Sequence, residues 1–269
     1  MDRAVVPESQ CILDAVAMRL FERLDLLKAT PAKVLDIGTG DARHLGQLRQ
    51  RFKKATVVGA DLSHQRLKSA LSRRRFWQKR APLICLDADH PLPFAKNTFD
   101  LVVSNMMLPW LAQADKLAAE INRILVQDGA YFISTAGPDT LMELRQAWTA
   151  IDEYQHINMF LDMHDVGDLM VGAGMADPVM DTERITVTYS SLDKLLDELT
   201  GLGFLNVLDG RRRSLTAKSV RQQLSEAYPV NEEGGIDATL ELVTAHGWSG
   251  TPKPPPGEFH FDIDQLSTR

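Results

Sequence analysis

The sequence has the length and composition of an ordinary folded protein. It has 269 residues, of which 44% are hydrophobic and 25% charged, and its formal net charge is −6. These values exclude a mainly disordered chain, a collagen-like chain and a coiled coil. Only two cysteines occur, Cys11 and Cys85, which are too few for a disulfide scaffold or a four-ligand zinc site. We therefore expect a cytoplasmic protein that binds no metal.

Neither a membrane span nor a targeting segment is predicted. The longest uncharged stretch in the richest apolar region, residues 101–114, contains Pro109 and is too short to cross a bilayer. The first 25 residues lack an apolar signal core and carry five acidic residues, which argues against a transit peptide.

The basic residues are unevenly distributed. Residues 43–80 hold 12 of the 30 lysines and arginines, and a second basic group follows at Arg211, Arg212 and Arg213. Such groups attract acidic partners over long range, or they are simply solvated helix faces. No feature of the sequence indicates nucleic-acid readout.

Strand and helix patterns alternate through the first half of the chain. An amphipathic helix is predicted over residues 10–28, and Gly129 is expected to stop another over residues 113–126. Further helices are expected up to about Arg51 and after Ser63, which is the predicted N-cap. Strands are predicted at residues 33–37, 55–60, 83–86, 101–104 and 131–134. This alternation indicates an α/β protein with a mostly parallel sheet and helices on both faces.

The second half of the chain is less regular. The patterns predict helices over residues 140–154, 164–173, 191–201 and 216–227, and strands over residues 186–189 and 238–245. We expect residues 136–165 and 190–235 to be insertions over the functional site in a single domain of residues 1–250. A proline-rich tail over residues 251–269 follows it.

Polar residues stand where the predicted strands end, and in a parallel α/β sheet these ends carry the ligand. The first strand runs into Asp36-Ile37-Gly38-Thr39-Gly40, whose glycines let the backbone approach a ligand closely. The full dinucleotide pattern is not met, because Arg43 stands where its third glycine would fall.

The later strand ends narrow the choice of ligand. Asp61 ends the second strand, where an acid can accept both ribose hydroxyls, and Asp87 ends the third, where it can accept from an adenine amino group. Asn105 follows the fourth strand. No phosphate-binding Gly-Lys-Ser/Thr sequence follows the glycine loop, so an adenosine ligand without phosphates is favoured over ATP. The alternative is that these acids only cap helices.

Together these motifs resemble the class I S-adenosylmethionine-dependent methyltransferases. The resemblance implies a Rossmann-like fold with a mostly parallel seven-stranded sheet and helical insertions over the acceptor site. It implies S-adenosyl-L-methionine as cofactor, held by Asp36, Gly38, Thr39, Gly40, Asp61, Leu62, Asp87, Ala88 and Asn105. Ala42 occupies the position where the class commonly has a third small glycine.

A longer series of residues resembles the malonyl-acyl-carrier-protein O-methyltransferases of biotin biosynthesis. The series comprises residues 132–145, 162–169, 177–181 and 186–189, together with Asn206 and the Arg211–Arg213 group. The chain departs from that family in having no tyrosine before Tyr131. It also has Ser214-Leu215-Thr216-Ala217 where the family often has glycines.

The resemblance implies methylation of a malonyl carboxylate, with a malonyl-bearing acyl-carrier protein as partner and neither nucleic acid nor membrane. No catalytic residue is assigned, because a carboxylate is already ionised near pH 7 and needs no general base. The residues that we expect at the substrate are Trp110, Arg145, Tyr189, Arg211, Arg212 and Arg213.

Two other functions stay open at this stage. The chain also resembles relatives of the complex I assembly factors, which act on a protein arginine. Alternatively, it is a non-catalytic partner protein that binds S-adenosylmethionine. His156 and His164 match no metal-ligand spacing, which favours a capping role in that segment.

Overall fold

The computed structural model describes residues 4–6, 12–28, 30–72, 81–202, 204 and 217–250. The proline-rich tail, the Arg211–Arg213 group and the basic residues 73–75 lie outside the described residues.

Eight strands of the described chain form one sheet. They are β1 (Ala4–Val6), β2 (Lys33–Ile37), β3 (Thr56–Asp61), β4 (Leu83–Cys85), β5 (Phe99–Asn105), β6 (Leu125–Ala136), β7 (Ala176–Tyr189) and β8 (Ile236–Trp248). Their order is β1-β7-β8-β6-β5-β2-β3-β4. Strand β8 is antiparallel to β6 and β7, and every other pairing is parallel. The predicted mostly parallel sheet is confirmed.

Helices connect most of the strands. They are α1 (Ile12–Arg23), α2 (Leu45–Arg51), α3 (His64–Ser72), α4 (Ala114–Ile124), α5 (Met142–Thr149), α6 (Met163–Gly172), α7 (Leu192–Leu202) and α8 (Lys218–Ala227). Short 3₁₀ turns follow at Leu24–Leu26 and Leu108–Trp110. No helix in the described ranges combines the length and the apolar character needed to span a membrane.

All seven predicted strands are present, and the structure adds β1 at the sheet edge, where it pairs with β7. Two details of the prediction were wrong. Gly129 does not stop a helix, because α4 ends at Ile124 and Gly129 lies inside β6, after Asp128 with φ +60°. Strand β7 is also much longer than residues 186–189, since it pairs with β8 along most of its 14 residues.

The alternation of side chains along β2 shows how the sheet is covered. Leu35 and Ile37 pack in a buried cluster with residues of α4 and α6. Val34, whose side chain points to the opposite face, packs with residues of α1 and α2. Helices therefore lie on both faces, as predicted, and each fully buried leucine or isoleucine contributes about 1.5–3 kcal/mol.

The strand order creates a crevice beside β2. The chain runs from β2 through β3 to β4 on one side, and then returns to β5 on the other side of β2. Connections that leave neighbouring strands in opposite directions open a space at the carboxyl ends of those strands. The functional site is therefore expected at the carboxyl ends of β2 and β5.

Candidate active site

A cavity of about 750 Å³ lies at the carboxyl ends of β2, β3 and β5. All nine residues predicted to bind the cofactor line it: Asp36, Gly38, Thr39, Gly40, Asp61, Leu62, Asp87, Ala88 and Asn105. The volume is within the range of small-molecule sites. The structure thus brings the predicted residues together, and their role in binding stays a prediction.

The glycine loop is bent back against β3. The Gly38 and Thr39 amides donate to the Ala60 carbonyl at 2.8 and 3.0 Å. Gly38 has φ +79°, and a Cβ atom there would lie 2.7 Å from the Met107 sulfur. Glycine is therefore required at position 38 both by conformation and by space.

Asp61 fixes the other side of the loop. Its Oδ2 accepts from the Gly40 amide at 2.7 Å, and its Oδ1 accepts from the Ser63 amide at 2.8 Å. Each carboxylate oxygen has a second lone pair, so two further hydrogen bonds are available to ligand hydroxyls. The predicted N-cap is confirmed, because the Ser63 hydroxyl accepts from the Arg66 amide at 3.3 Å.

Asp36 is a buried acid beside a second acid. Its side chain is 5% exposed, and its Oδ2 accepts from the Thr39 hydroxyl at 2.6 Å. Burial, together with the nearby charge of Asp61, raises the pKa of Asp36 from 3.8 to about 6, although the Thr39 hydrogen bond opposes this. Two acids so close together favour a cationic ligand.

Asp87 closes a turn instead of capping a helix. Its Oδ1 accepts from the Asp89 amide at 3.0 Å, and its Oδ2 lies 3.1 Å from Nδ1 of His90. Asp89 is the acid that reaches the segment before α4, where it accepts from the Ala112 and Gln113 amides at 3.2 and 2.8 Å.

Asn105 links the cavity to the N-terminal helix. Its Oδ1 accepts from the Ser134 hydroxyl at 2.7 Å, and its Nδ2 donates to the Leu13 carbonyl at 3.4 Å. These two contacts fix the orientation of the carboxamide at the end of β5.

Several residues that line the cavity were not predicted from the sequence. They come from α1, from the segment before α2, and from the end of α7 and the position just after it: Leu13, Phe21, Asp41, Arg43, His44, Gly201 and Phe204. Nε2 of His44 lies 2.9 Å from Oδ1 of Asp14, and burial nonetheless lowers the pKa of His44. The two residues are 30 positions apart in the sequence, so no local motif could have predicted the contact.

Two predicted substrate residues do not line the cavity. The Arg145 guanidinium donates to the carbonyls of Pro138 and Thr140, at 3.0 and 3.4 Å. Tyr189 is only 1% exposed, and its hydroxyl donates to Oε2 of Glu198 at 2.8 Å. Both side chains are engaged by groups of the fold, and their placement at the acceptor stays a prediction that this cavity does not support. Trp110 does line the cavity.

No metal centre is evident in the part of the chain that the structure describes, where no group of three His, Cys, Asp or Glu side chains could hold an ion. His156 instead stacks on Trp148, with ring centroids 3.5 Å apart, and its Nε2 lies 2.7 Å from Oδ1 of Asp152.

The fold and the site define the class of the protein. A methyltransferase-domain model matches residues 35–133, which include the glycine loop, Asp61, Asp87 and Asn105. The chain is also similar in fold to a solved phosphoethanolamine N-methyltransferase from Haemonchus contortus, with a TM-score of 0.54 and 17% identity. That match covers 87% of this chain and 53% of the other. The protein is a class I S-adenosylmethionine-dependent methyltransferase.

Closer relatives define the family. A malonyl-[acyl-carrier protein] O-methyltransferase from Laribacter hongkongensis is 38% identical, over 94% of this chain and 86% of the relative. One from Gallionella capsiferriformans is also 38% identical, over 88% and 84%. The chain belongs to the malonyl-[acyl-carrier protein] O-methyltransferase family, and it is an S-adenosylmethionine-dependent O-methyltransferase.

The residues present fit that cofactor. S-adenosylmethionine carries a sulfonium and an ammonium group, which suit a cavity lined by Asp36 and Asp61. Its ribose hydroxyls match the open lone pairs of Asp61, and the turn at Asp87 presents an acceptor for the adenine amino group.

Proposed function

We propose that the protein methylates the free carboxylate of a malonyl group carried on an acyl-carrier protein, as a cytoplasmic step of biotin biosynthesis. The observation that carries this proposal is the identity of 38% over 94% of the chain to a relative of that name. The same observation favours this function over action on a protein arginine and over a non-catalytic role.

The cofactor supplies an activated methyl group when it is bound. Asp61 would hold the ribose, and Asp87 would hold the adenine amino group. The glycine loop lines the same cavity, and so does Asn105 beside α1. No side chain has to remove a proton, because the acceptor carboxylate is ionised near pH 7. The protein contributes by aligning the reacting groups and by excluding water.

The cations that line the cavity are candidates for orienting the acceptor carboxylate in place of Arg145. Arg43 and Arg66 are the arginines in the described lining. Arg43 is already shared with Asp41, with Nε–Oδ1 and Nη2–Oδ2 distances of 3.0 and 3.1 Å. An arginine already paired with Asp41 would bind the acceptor carboxylate only weakly. Weak binding is suitable here, because tight pairing would make the carboxylate oxygen a poorer nucleophile.

The test is incubation with methyl-labelled S-adenosylmethionine and malonyl-carrier protein, followed by mass spectrometry of the carrier. We expect one methyl group, bound as an ester that mild base hydrolyses to methanol, and none on acetyl-carrier protein, which has no free carboxylate. A base-stable methyl label on a protein arginine would instead support action on a protein arginine. Binding of S-adenosylhomocysteine without any transfer would support the non-catalytic role.

A further inference from the structure

One wall of the cavity carries no charge. The segment around the 3₁₀ turn after β5 contributes Met107, Trp110 and Leu111, while Gly201 in the last turn of α7 and Phe204 after that helix complete the wall. The acidic and basic lining residues all come from β2, β3 and β4 and the segments after them: Asp36, Asp41, Arg43, His44, Asp61, Arg66, Asp87 and Asp89.

Aromatic contacts extend this wall outward. The rings of Trp110 and Phe204 meet edge to face at a centroid distance of 5.6 Å, and Phe160 lies 6.5 Å from Phe204. Trp110 is 39% exposed, and Met159, beside Phe160, is 77% exposed. We call Trp110, Phe204 and Phe160 the aromatic wall.

The segment that carries Phe160 is held in place. It follows α5, and the stacking of His156 on Trp148 and the contact of His156 with Asp152 fix its first part. Phe160 packs against the same buried cluster as Trp148. The aromatic wall is therefore part of the packed structure, built from three segments that are distant in sequence.

The sheet order separates the aromatic wall from the adenosine side. The acids expected to hold adenosine stand at the ends of β3 and β4, at one edge of the sheet. Trp110 follows β5, and Phe204 follows α7, which comes after β7 on the other half of the sheet. The wall thus faces the part of the cavity that the adenosine does not need.

We infer that the aromatic wall binds the uncharged arm that carries the malonyl thioester. This inference rests on the proposed function and names the part of the acceptor that the wall recognises. Within the malonyl-pantetheine part of the acceptor, the charge lies at the malonyl tip, while the adjoining pantetheine arm consists of uncharged methylene, methyl, hydroxyl and amide groups. Aromatic faces and edges bind such groups well, and exposed apolar side chains at a cavity mouth mark binding surfaces. Free malonate has no arm to occupy the wall.

The test measures binding by calorimetry on the full chain saturated with S-adenosylhomocysteine. The probe is malonyl-pantetheine, and the variants are Trp110→Ala and Phe204→Ala. Trp248→Ala is the matched control, because Trp248 is 36% exposed, also makes an edge contact, and does not line the cavity. We expect each wall variant to weaken probe binding about tenfold and the control to leave it within about twofold.

Two companion measurements test the assignment to the arm. S-adenosylhomocysteine affinity should stay within about twofold in the wall variants, and so should kcat/KM for the arm-less S-methyl malonyl thioester. A parallel loss of S-adenosylhomocysteine affinity would overturn the inference, since the wall would then contact the adenine. An equal loss with the arm-less thioester would overturn it too, because the residues would be structural only.

The two sources of the arm are compared by assaying malonyl-carrier protein and malonyl-coenzyme A. Equal effects of Trp110→Ala on both KM values support recognition of the shared arm, and an effect on the carrier protein alone would overturn it. If the wild type binds malonyl-pantetheine but forms no ester, the proposed function fails while the binding site stands. If it binds no malonyl-pantetheine, the inference itself fails.

Discussion

The Asp61 carboxylate both holds the glycine loop and presents free lone pairs to the cavity. Removing it in Asp61→Ala should weaken S-adenosylhomocysteine binding by roughly 1.5–3 kcal/mol, the usual value of a hydrogen bond to a charged group. Calorimetry measures this loss. Asp100→Ala is the control, since Asp100 also accepts from two backbone amides, those of Ala32 and Lys33, at 3.0 and 2.7 Å. Asp100 stands at the opposite end of the sheet, so its loss should lower stability alone. Unchanged affinity in folded Asp61→Ala would contradict the cofactor site.

Asp36 should make cofactor affinity depend on pH. Burial raises its pKa from 3.8 to about 6, so the side chain is largely protonated at pH 5 and ionised at pH 7. Only the ionised form attracts the ammonium group of S-adenosylhomocysteine, so the affinity for this ligand should rise between pH 5 and pH 7 and then level off. The free energy of unfolding of the unliganded protein should fall as the pH rises from about 4 through about 6, because the folded state binds the Asp36 proton more tightly than the unfolded state does. Calorimetry over this range measures how the affinity for S-adenosylhomocysteine changes with pH. If Asp36→Asn keeps the same pH dependence, that dependence belongs to another group.

Ala42 is strained, and its replacement by glycine should stabilise the protein. Its φ is +56°, a conformation that costs an L-residue roughly 1–2 kcal/mol. Part of that gain is lost because glycine is freer in the unfolded chain, so Ala42→Gly should raise the free energy of unfolding by about 0.5–1 kcal/mol. Ala119→Gly, on the exposed face of α4, should lower it by about 1 kcal/mol. Urea titration compares the two variants, and effects of the same sign would show that the loop is not strained.

Between elements, Glu198 of α7 joins two walls of the cavity. It accepts from the Tyr189 hydroxyl at 2.8 Å and from the Ile12 amide, at the start of α1, at 2.9 Å. Tyr189→Phe and Glu198→Gln should each lower the free energy of unfolding by about 1–3 kcal/mol. The double variant should lose less than the sum, because the residues share one contact. Tyr154→Phe, at an exposed tyrosine, should change nothing. If the losses of the two single variants simply add in the double variant, the Tyr189 hydroxyl stabilises the protein through a contact other than Glu198.

The same elements show which structural features the sequence could predict. Asp36, Asp61, Asp87 and Asn105 were found because a strand pattern fixes where the strand ends, and parallel strands end at one edge. The bond from Ile12 to Glu198 spans 186 positions and leaves no local signal.

Other features were missed for related reasons. Strand β1 has only three residues and exists through its pairing with β7. Arg145 has the charge expected of a binding residue, but its guanidinium is engaged by backbone carbonyls of the preceding loop. Charge alone does not show whether a side chain is available to a ligand.

At the scale of the whole molecule, two groups of three arginines stand at different points of the chain, at residues 73–75 and 211–213. Residues 73–75 follow Ser72, the last residue of α3, which connects β3 to β4 at the adenosine edge. Arg211, the first residue of the second group, follows Phe204 by seven positions, which is at most about 25 Å of extended chain. An acyl-carrier protein is acidic and must present its arm on the wall side. We therefore predict that it docks at the second group.

Charge reversal tests the docking prediction. Reversal at Arg211, Arg212 and Arg213 should raise KM for malonyl-carrier protein several-fold and weaken its salt dependence, while kcat stays nearly constant. The reason is that exposed charges act on encounter, are individually weak and are screened by salt. The same change at Arg73, Arg74 and Arg75 is the matched control and should have little effect. Malonyl-pantetheine, which brings no protein surface, should be used equally well by both variants. The reverse ranking would place the carrier at the adenosine edge, and equal weak effects would favour an acceptor that is not attached to a protein.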